Sequence, residues 1–191
     1  MAILKIARMG HPVLAAPAKP VEDPSAPGIR RLVSDMLETM QDAGGTGLAA
    51  PQVHVPLRLA IFFVSGPRAA REDGEGGRGE DKGVPLTVLC NPTIEPLGEE
   101  MASGWEACLS LPGLAGEVPR HASVRYRGIT PTGEELVREA HGFHARVVQH
   151  EFDHLDGILF PQRMQDMKKL VFTSEMKHLA AAGEAPAEVE D

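Results

Sequence analysis

The stretch Gln149-His150-Glu151-Phe152-Asp153-His154-Leu155-Asp156-Gly157 decides what stands at the centre of the molecule. Two histidines four positions apart lie on one face of a helix, a turn from each other, so both imidazoles can reach the same metal ion. Glu151 completes His-Glu-x-x-His, in which a carboxylate beside the metal takes a proton from water and later returns it. The spacing predicts a helix from about Phe143 to Leu155, stopped at Gly157. The same residues would also fit a surface helix with merely polar histidines, and Glu151 and Asp153 in pairs along its face. A third ligand separates the readings, because catalytic metal sites generally use three protein donors and leave a position for water. Spacing alone does not choose it among Cys108, His11, His54, His121, His141, His144, His178 and the many carboxylates.

Outward from this helix, Ile29, Leu32, Val33, Met36, Leu37 and Met40 recur at helical spacing between Pro24 and Gly45, with Ser25 as the expected N-cap. Leu57–Val64 reads as a buried strand and Thr87–Cys90 as another, ended by Asn91-Pro92. Ser123–Ile129 should pair with Glu135–Ala140 across Thr130-Pro131-Thr132-Gly133. Gly66–Gly83 is dominated by Gly, Arg, Glu and Asp and reads as a mobile charged loop. A third helix is expected over Gln165–Ala181, before an acidic, disordered tail at 183–191.

With 191 residues and 42% hydrophobic content, the chain fits one compact domain. Nineteen Lys and Arg against 27 Asp and Glu leave a net charge of −8, which argues against a broad grip on free nucleic acid. No stretch approaches the roughly 20 apolar residues that span a membrane, so a cytoplasmic protein is expected. Cys90 reads as a buried free thiol; Cys108 sits in a context that suggests another use.

Three separated segments carry a resemblance: Gly45-Thr46-Gly47-Leu48-Ala49-Ala50-Pro51-Gln52, Glu106-Ala107-Cys108-Leu109-Ser110, and Gln149 to Gly157. In kind, order and separation they are similar to the signature of the peptide deformylases, and the likeness runs from Gly10-His11-Pro12-Val13-Leu14 to Phe160. One departure is Ala107, where such enzymes usually have glycine; its methyl group beside a metal ligand could narrow the pocket. The elements and the resemblance together imply an α+β catalytic domain over 1–182, with antiparallel sheets packed around the central helix and one helix toward each end.

The resemblance implies a metal held by Cys108, His150 and His154, with water in the fourth position and Glu151 as general base and acid. It gives Gln52 and the backbone N–H of Leu109 to the oxyanion formed when hydroxide attacks a formyl carbonyl. Gly47 would leave backbone groups open to an extended peptide, while Leu48, Phe143 and Val147 would line the methionine pocket, against the alternative of ordinary core. Glu106 and Arg120 would form a supporting ion pair, against the alternative of exposed, unpaired charges. The implied metal is Fe²⁺, which Zn²⁺, Ni²⁺ or Co²⁺ can replace, and the implied substrates are formylmethionyl nascent peptides. Arg163, Lys168, Lys169 and Lys177 on the last expected helix are a candidate ribosome contact, against the alternative of a solvated face. Two rivals stay open: a zinc peptidase taking a downstream ligand such as Asp166, Glu175 or His178, and a non-enzymatic module with a fourth protein ligand.

Overall fold

The computed structural model describes residues 2–66, 68, 83–183 and 186. Most of the charged loop expected at 66–83 and nearly all of the tail at 183–191 lie outside the described residues.

Helix α1 (Pro27–Asp42) follows the predicted apolar stripe and buries Ile29, Met36, Thr39 and Met40. Its cap differs from expectation. Ala26 stands at the N-cap with Pro27 in the first turn, and the Ser25 hydroxyl is spent on Asp23 at 2.6 Å. Proline suits that place because its missing N–H would have no helical partner there.

Strands β1 (Gly47–Ala49), β2 (Leu59–Val64), β3 (Val84–Pro96), β6 (Ser123–Ile129) and β7 (Glu135–His141) form one antiparallel sheet in the order β1-β2-β3-β6-β7. The hairpin read from the sequence is present, with Ile129 opposite Glu135 and Ser123 opposite His141. In β6, Val124, Tyr126 and Gly128 point inward and Arg125 and Arg127 outward, the period of two expected of a half-buried strand. Asn91-Pro92 does not end β3, as expected, but bulges it. Asn91 takes φ 51°, the register shifts between Cys90 and Thr93, and the Asn91 amide holds the backbone of Val21 at 2.7 and 2.8 Å. Leu57 precedes β2 and forms an isolated bridge to Lys19.

A second antiparallel sheet runs β4-β5-β8, with β4 at Met101–Ala107, β5 at Leu114–His121 and β8 at Leu170–Phe172. β8 replaces the first part of the helix expected over Gln165–Ala181. Leu170, Val171 and Phe172 find ladder partners in Gly116, Ala115 and Leu114, so only α3 (Met176–Ala181) is α-helical there. Tertiary pairing overrides a helical pattern of this length.

Helix α2 (Gly142–Leu155) lies between the sheets, and ten of its fourteen residues are buried. Phe143, Val147, Val148, Phe152 and Leu155 join Phe62, Leu89, Val124 and Tyr126 in one apolar cluster. Each such side chain contributes about 1.5–3 kcal/mol on burial. The polar group admitted there is satisfied, with the Tyr126 hydroxyl 3.1 Å from His144 Nε2. A helix packed on several sides has little freedom to shift, which holds His150 and His154 in place. Among the described residues, no helix is long and apolar enough to cross a membrane.

Candidate active site

Three chain segments converge at one cavity. β1 leads through a 3-10 turn, Ala50–Val53, that carries Gln52; β4 runs directly into Cys108 and Leu109; α2 supplies His150, Glu151 and His154. The N-terminal segment ties the first two together, because Ala7 N–H donates to Gln52 O at 2.7 Å and Met9 N–H to Ser110 O at 2.9 Å.

The donor atoms of Cys108, His150 and His154 all lie within 4.8 Å of one another. Cys108 Sγ is 3.3 Å from His154 Nε2, and both residues are almost wholly buried. One thiol and two imidazoles within such a span fit a divalent ion that accepts nitrogen and sulfur donors. Beside them the Oε2 atom of Glu151 is buried with no hydrogen-bond partner among the described residues. Glu151 lines the same cavity, where water or substrate would satisfy that oxygen. Gln52 accepts from Ala49 N–H through Oε1 at 2.8 Å, which turns its Nε2 toward Ser110 Oγ at 3.2 Å and Cys108 Sγ at 3.7 Å. Leu109 lines the same cavity.

Behind the histidines runs a buried charge network. Arg120 grips Glu106 through Nε and Nη2, each at 2.9 Å, and also bonds Asp153. Glu106 Oε2 in turn lies 2.9 Å from His150 Nδ1, which orients that ring and leaves Nε2 to the Cys108 side. Removing one member would leave an unpaired buried charge, at a cost of about 3–5 kcal/mol. Burial raises the Glu106 carboxyl, but Arg120 and His150 outweigh it and hold the group well below its ordinary value. Burial would lower the His150 pKa, yet Cys108 and Glu106 overcome it and raise it; burial and the nearby cations His150 and Arg120 lower that of His154. Burial pushes the Glu151 carboxyl up to about 7, and a bound cation nearby would draw it down again.

Gly47 has a tighter reason to be glycine than an open backbone. A Cβ there would sit 2.2 Å from Glu151 Oε1 and 2.5 Å from its Cδ. The space belongs to the carboxylate, so the first and third sequence segments are matched to each other sterically. Gly47→Ala should displace Glu151 and lower kcat on the order of 10²-fold, while leaving the metal content unchanged. Unaltered kcat in that variant would show that the carboxylate tolerates displacement.

Phe143 and Val147 line the cavity, as does Gly47. Leu48 does not. It is fully buried on the opposite face, in the cluster of Met36, Met40 and Ile61, because alternation along β1 turns it away from Gly47. Asp166 accepts from Lys168 N–H at 2.9 Å, and Glu175 and His178 lie beside each other on the surface, 3.6 Å apart. Among the described residues, the cluster able to share an ion contains neither them nor a fourth donor. The sequence reading gave no role to Ser110, Trp105 or Arg146, although Ser110 stands within the second segment of the resemblance and Arg146 lies one turn before His150 on the same face of α2.

The polypeptide deformylase family description matches residues 3–170. Peptide deformylase 1 of Bordetella pertussis is 51% identical over 168 residues, covering 88% of this chain and 91% of that protein. Peptide deformylase 2 of Ralstonia nicotianae is 48% identical over 171 residues, covering 90% and 92%. The crystal structure of peptide deformylase from Ehrlichia chaffeensis superposes with a TM-score of 0.76 at 33% identity, covering 88% of this chain and 91% of that one. A Met-Ala-Ser-bound class I type b peptide deformylase from Acinetobacter baumannii gives 0.74 at 34% identity, covering 85% and 99%. With the sequence match running through all three segments that meet at the cavity, and the fold shared with solved members, the chain belongs to the peptide deformylase family.

Proposed function

We propose that the cavity between β1, β4 and α2 is where the chain, as a peptide deformylase, removes the N-terminal formyl group of newly made polypeptides and releases formate. The observation that carries this reading is the meeting of Cys108, His150 and His154 within 4.8 Å beside a buried Glu151 carboxylate whose Oε2 has no partner among the described residues. These three residues would hold the ion, which when bound supplies Lewis acidity to a water and to the formyl carbonyl. Glu151 takes a proton from the attacking water and delivers it to the nitrogen as the formamide C–N bond breaks. Gln52 Nε2 and the Leu109 N–H donate to the carbonyl oxygen as negative charge develops on it. Gln52 needs little reorganisation for this, since Ala49 and Ser110 already hold its amide. Glu106, Arg120 and Asp153 brace the histidine-bearing helix from behind.

The peptide lies extended along β1, with the first side chain between Phe143 and Val147, a mode in which main-chain bonds give affinity and pockets give selectivity. The Met-Ala-Ser tripeptide bound to the Acinetobacter baumannii relative is consistent with that substrate class. We take the working metal to be Fe²⁺, as the resemblance implies, because the donor set itself suits iron, zinc, nickel and cobalt alike. Protein purified without oxygen should contain iron and lose activity in air; a zinc form of equal activity would overturn the choice of iron.

Nascent chains begin in the cytoplasm, and we place the reaction there. Contact with the ribosome now rests on Lys168 and Lys177. Arg163 is engaged with Asp153 at 2.7 Å and Lys169 with Glu117, and Lys168 and Lys169 precede β8 and do not lie on α3. Charge reversal at Lys168 and Lys177 should weaken co-sedimentation with ribosomes; unchanged co-sedimentation excludes the contact.

A further inference from the structure

We propose that Arg146 forms the end wall of the side-chain pocket and limits substrates to formylated first residues no longer than methionine. The inference rests on the reading above that the cavity receives that side chain. Arg146 stands one turn before His150 on α2 and lines the cavity with Trp105, Phe143 and Val147. From there it crosses to the second sheet. Its Nη1 donates to Glu106 Oε1 and Val118 O at 2.8 Å and to Gly104 O at 3.3 Å, and its Nη2 to Ala102 O at 2.8 Å.

A planar guanidinium held by four acceptors on β4 and β5 has little freedom to swing aside. Its side chain is 11% exposed, and its charge is paired with Glu106. Moving it would strip a buried charge of its partners. Gly104 is fitted to it: a Cβ there would lie 2.9 Å from Arg146 Cζ and Nη2, so the strand yields its side-chain space to the guanidinium.

Beyond Arg146 lies a second cavity, lined by Ser103, His121, Ala122 and Gly142. It shares Trp105, Phe143 and Arg146 with the first, so these residues form the partition between them. Shortening Arg146 therefore joins two spaces, and an unbranched side chain stopped by the guanidinium gains room beyond it. The discrimination available from such a wall is about tenfold or more per methylene that cannot be housed.

The test compares formyl-Met-Ala-Ser with peptides whose first residue is norleucine, 2-aminoheptanoic acid or 2-aminooctanoic acid. In the wild-type protein, kcat/KM should hold from methionine to norleucine, then fall by about tenfold at 2-aminoheptanoic acid and about a hundredfold at 2-aminooctanoic acid. In Arg146→Ala the ratio of the longest substrate to formyl-Met-Ala-Ser should rise at least tenfold. Loss of the Glu106 contact slows all substrates together and leaves this ratio alone, which separates a wall from a purely structural arginine. If Arg146→Ala does not fold, Arg146→Gln, shorter but still a donor to the strand carbonyls, serves the same comparison. A flat wild-type series, or an unmoved ratio in the folded variant, overturns the proposal while leaving deformylation intact. Failure of the wild-type, metal-loaded protein to release formate from any of the peptides overturns the deformylase reading, and the wall with it.

Discussion

Glu151→Gln is expected to keep its metal and its fold while kcat falls on the order of 10³-fold. The magnitude is that of removing a positioned proton carrier, which typically supplies 10²–10⁴. Glutamine preserves the shape that Gly47 accommodates, where a Cβ at Gly47 would already lie 2.2 Å from Glu151 Oε1, so repacking contributes little. What it removes is the ability to take a proton from water and pass it to the leaving amine. Because Glu151 is not among the three clustered donors, metal content measured on the same sample should match the wild type. Retention of activity within a few-fold would remove Glu151 from the proton path, whereas loss of metal would mean that Glu151 also helps hold the ion.

Cys108→Ala should abolish both metal binding and turnover. Two imidazoles remain after the thiol is lost, and the three-donor arrangement of a catalytic ion is broken. The thiolate also brings the negative charge that offsets the cation in a pocket where Cys108 is 1% exposed and His154 is equally buried. Elemental analysis after dialysis, with circular dichroism to verify the fold, reads the result. A downstream ligand would leave the ion in place, as the zinc-peptidase rival requires. The geometry already opposes that rival, since Asp166, Glu175 and His178 are outside the cluster.

The central helix was legible because its pattern is local: His150, Glu151 and His154 are related by helical spacing alone. Cys108 and Gln52 were not legible in that way. They reach the histidines only after β4 and the turn following β1 fold back on α2, and it was the family resemblance that singled them out. The short strands escaped notice for physical reasons. β4, Met-Ala-Ser-Gly-Trp-Glu-Ala, has small residues where a strand usually shows branched ones, because Arg146 fills the space over Gly104. β5 contains Pro119, tolerated because β8 pairs only with Leu114–Gly116 and leaves β5 a strand on one side at that point. The helix expected over Gln165–Ala181 failed at Leu170–Phe172, where a sheet edge offered better pairing. Leu48 was misplaced for a related reason. A strand sends neighbouring residues to opposite faces, and the one facing the cavity is Gly47.

The most direct measurement is formate release from formyl-Met-Ala-Ser by protein prepared without oxygen, with metal content determined on the same sample. One divalent ion per chain, with equal amounts of formate and free Met-Ala-Ser, is the predicted result. A loaded protein that releases no formate, or that instead cuts a peptide bond within the substrate, would contradict the account.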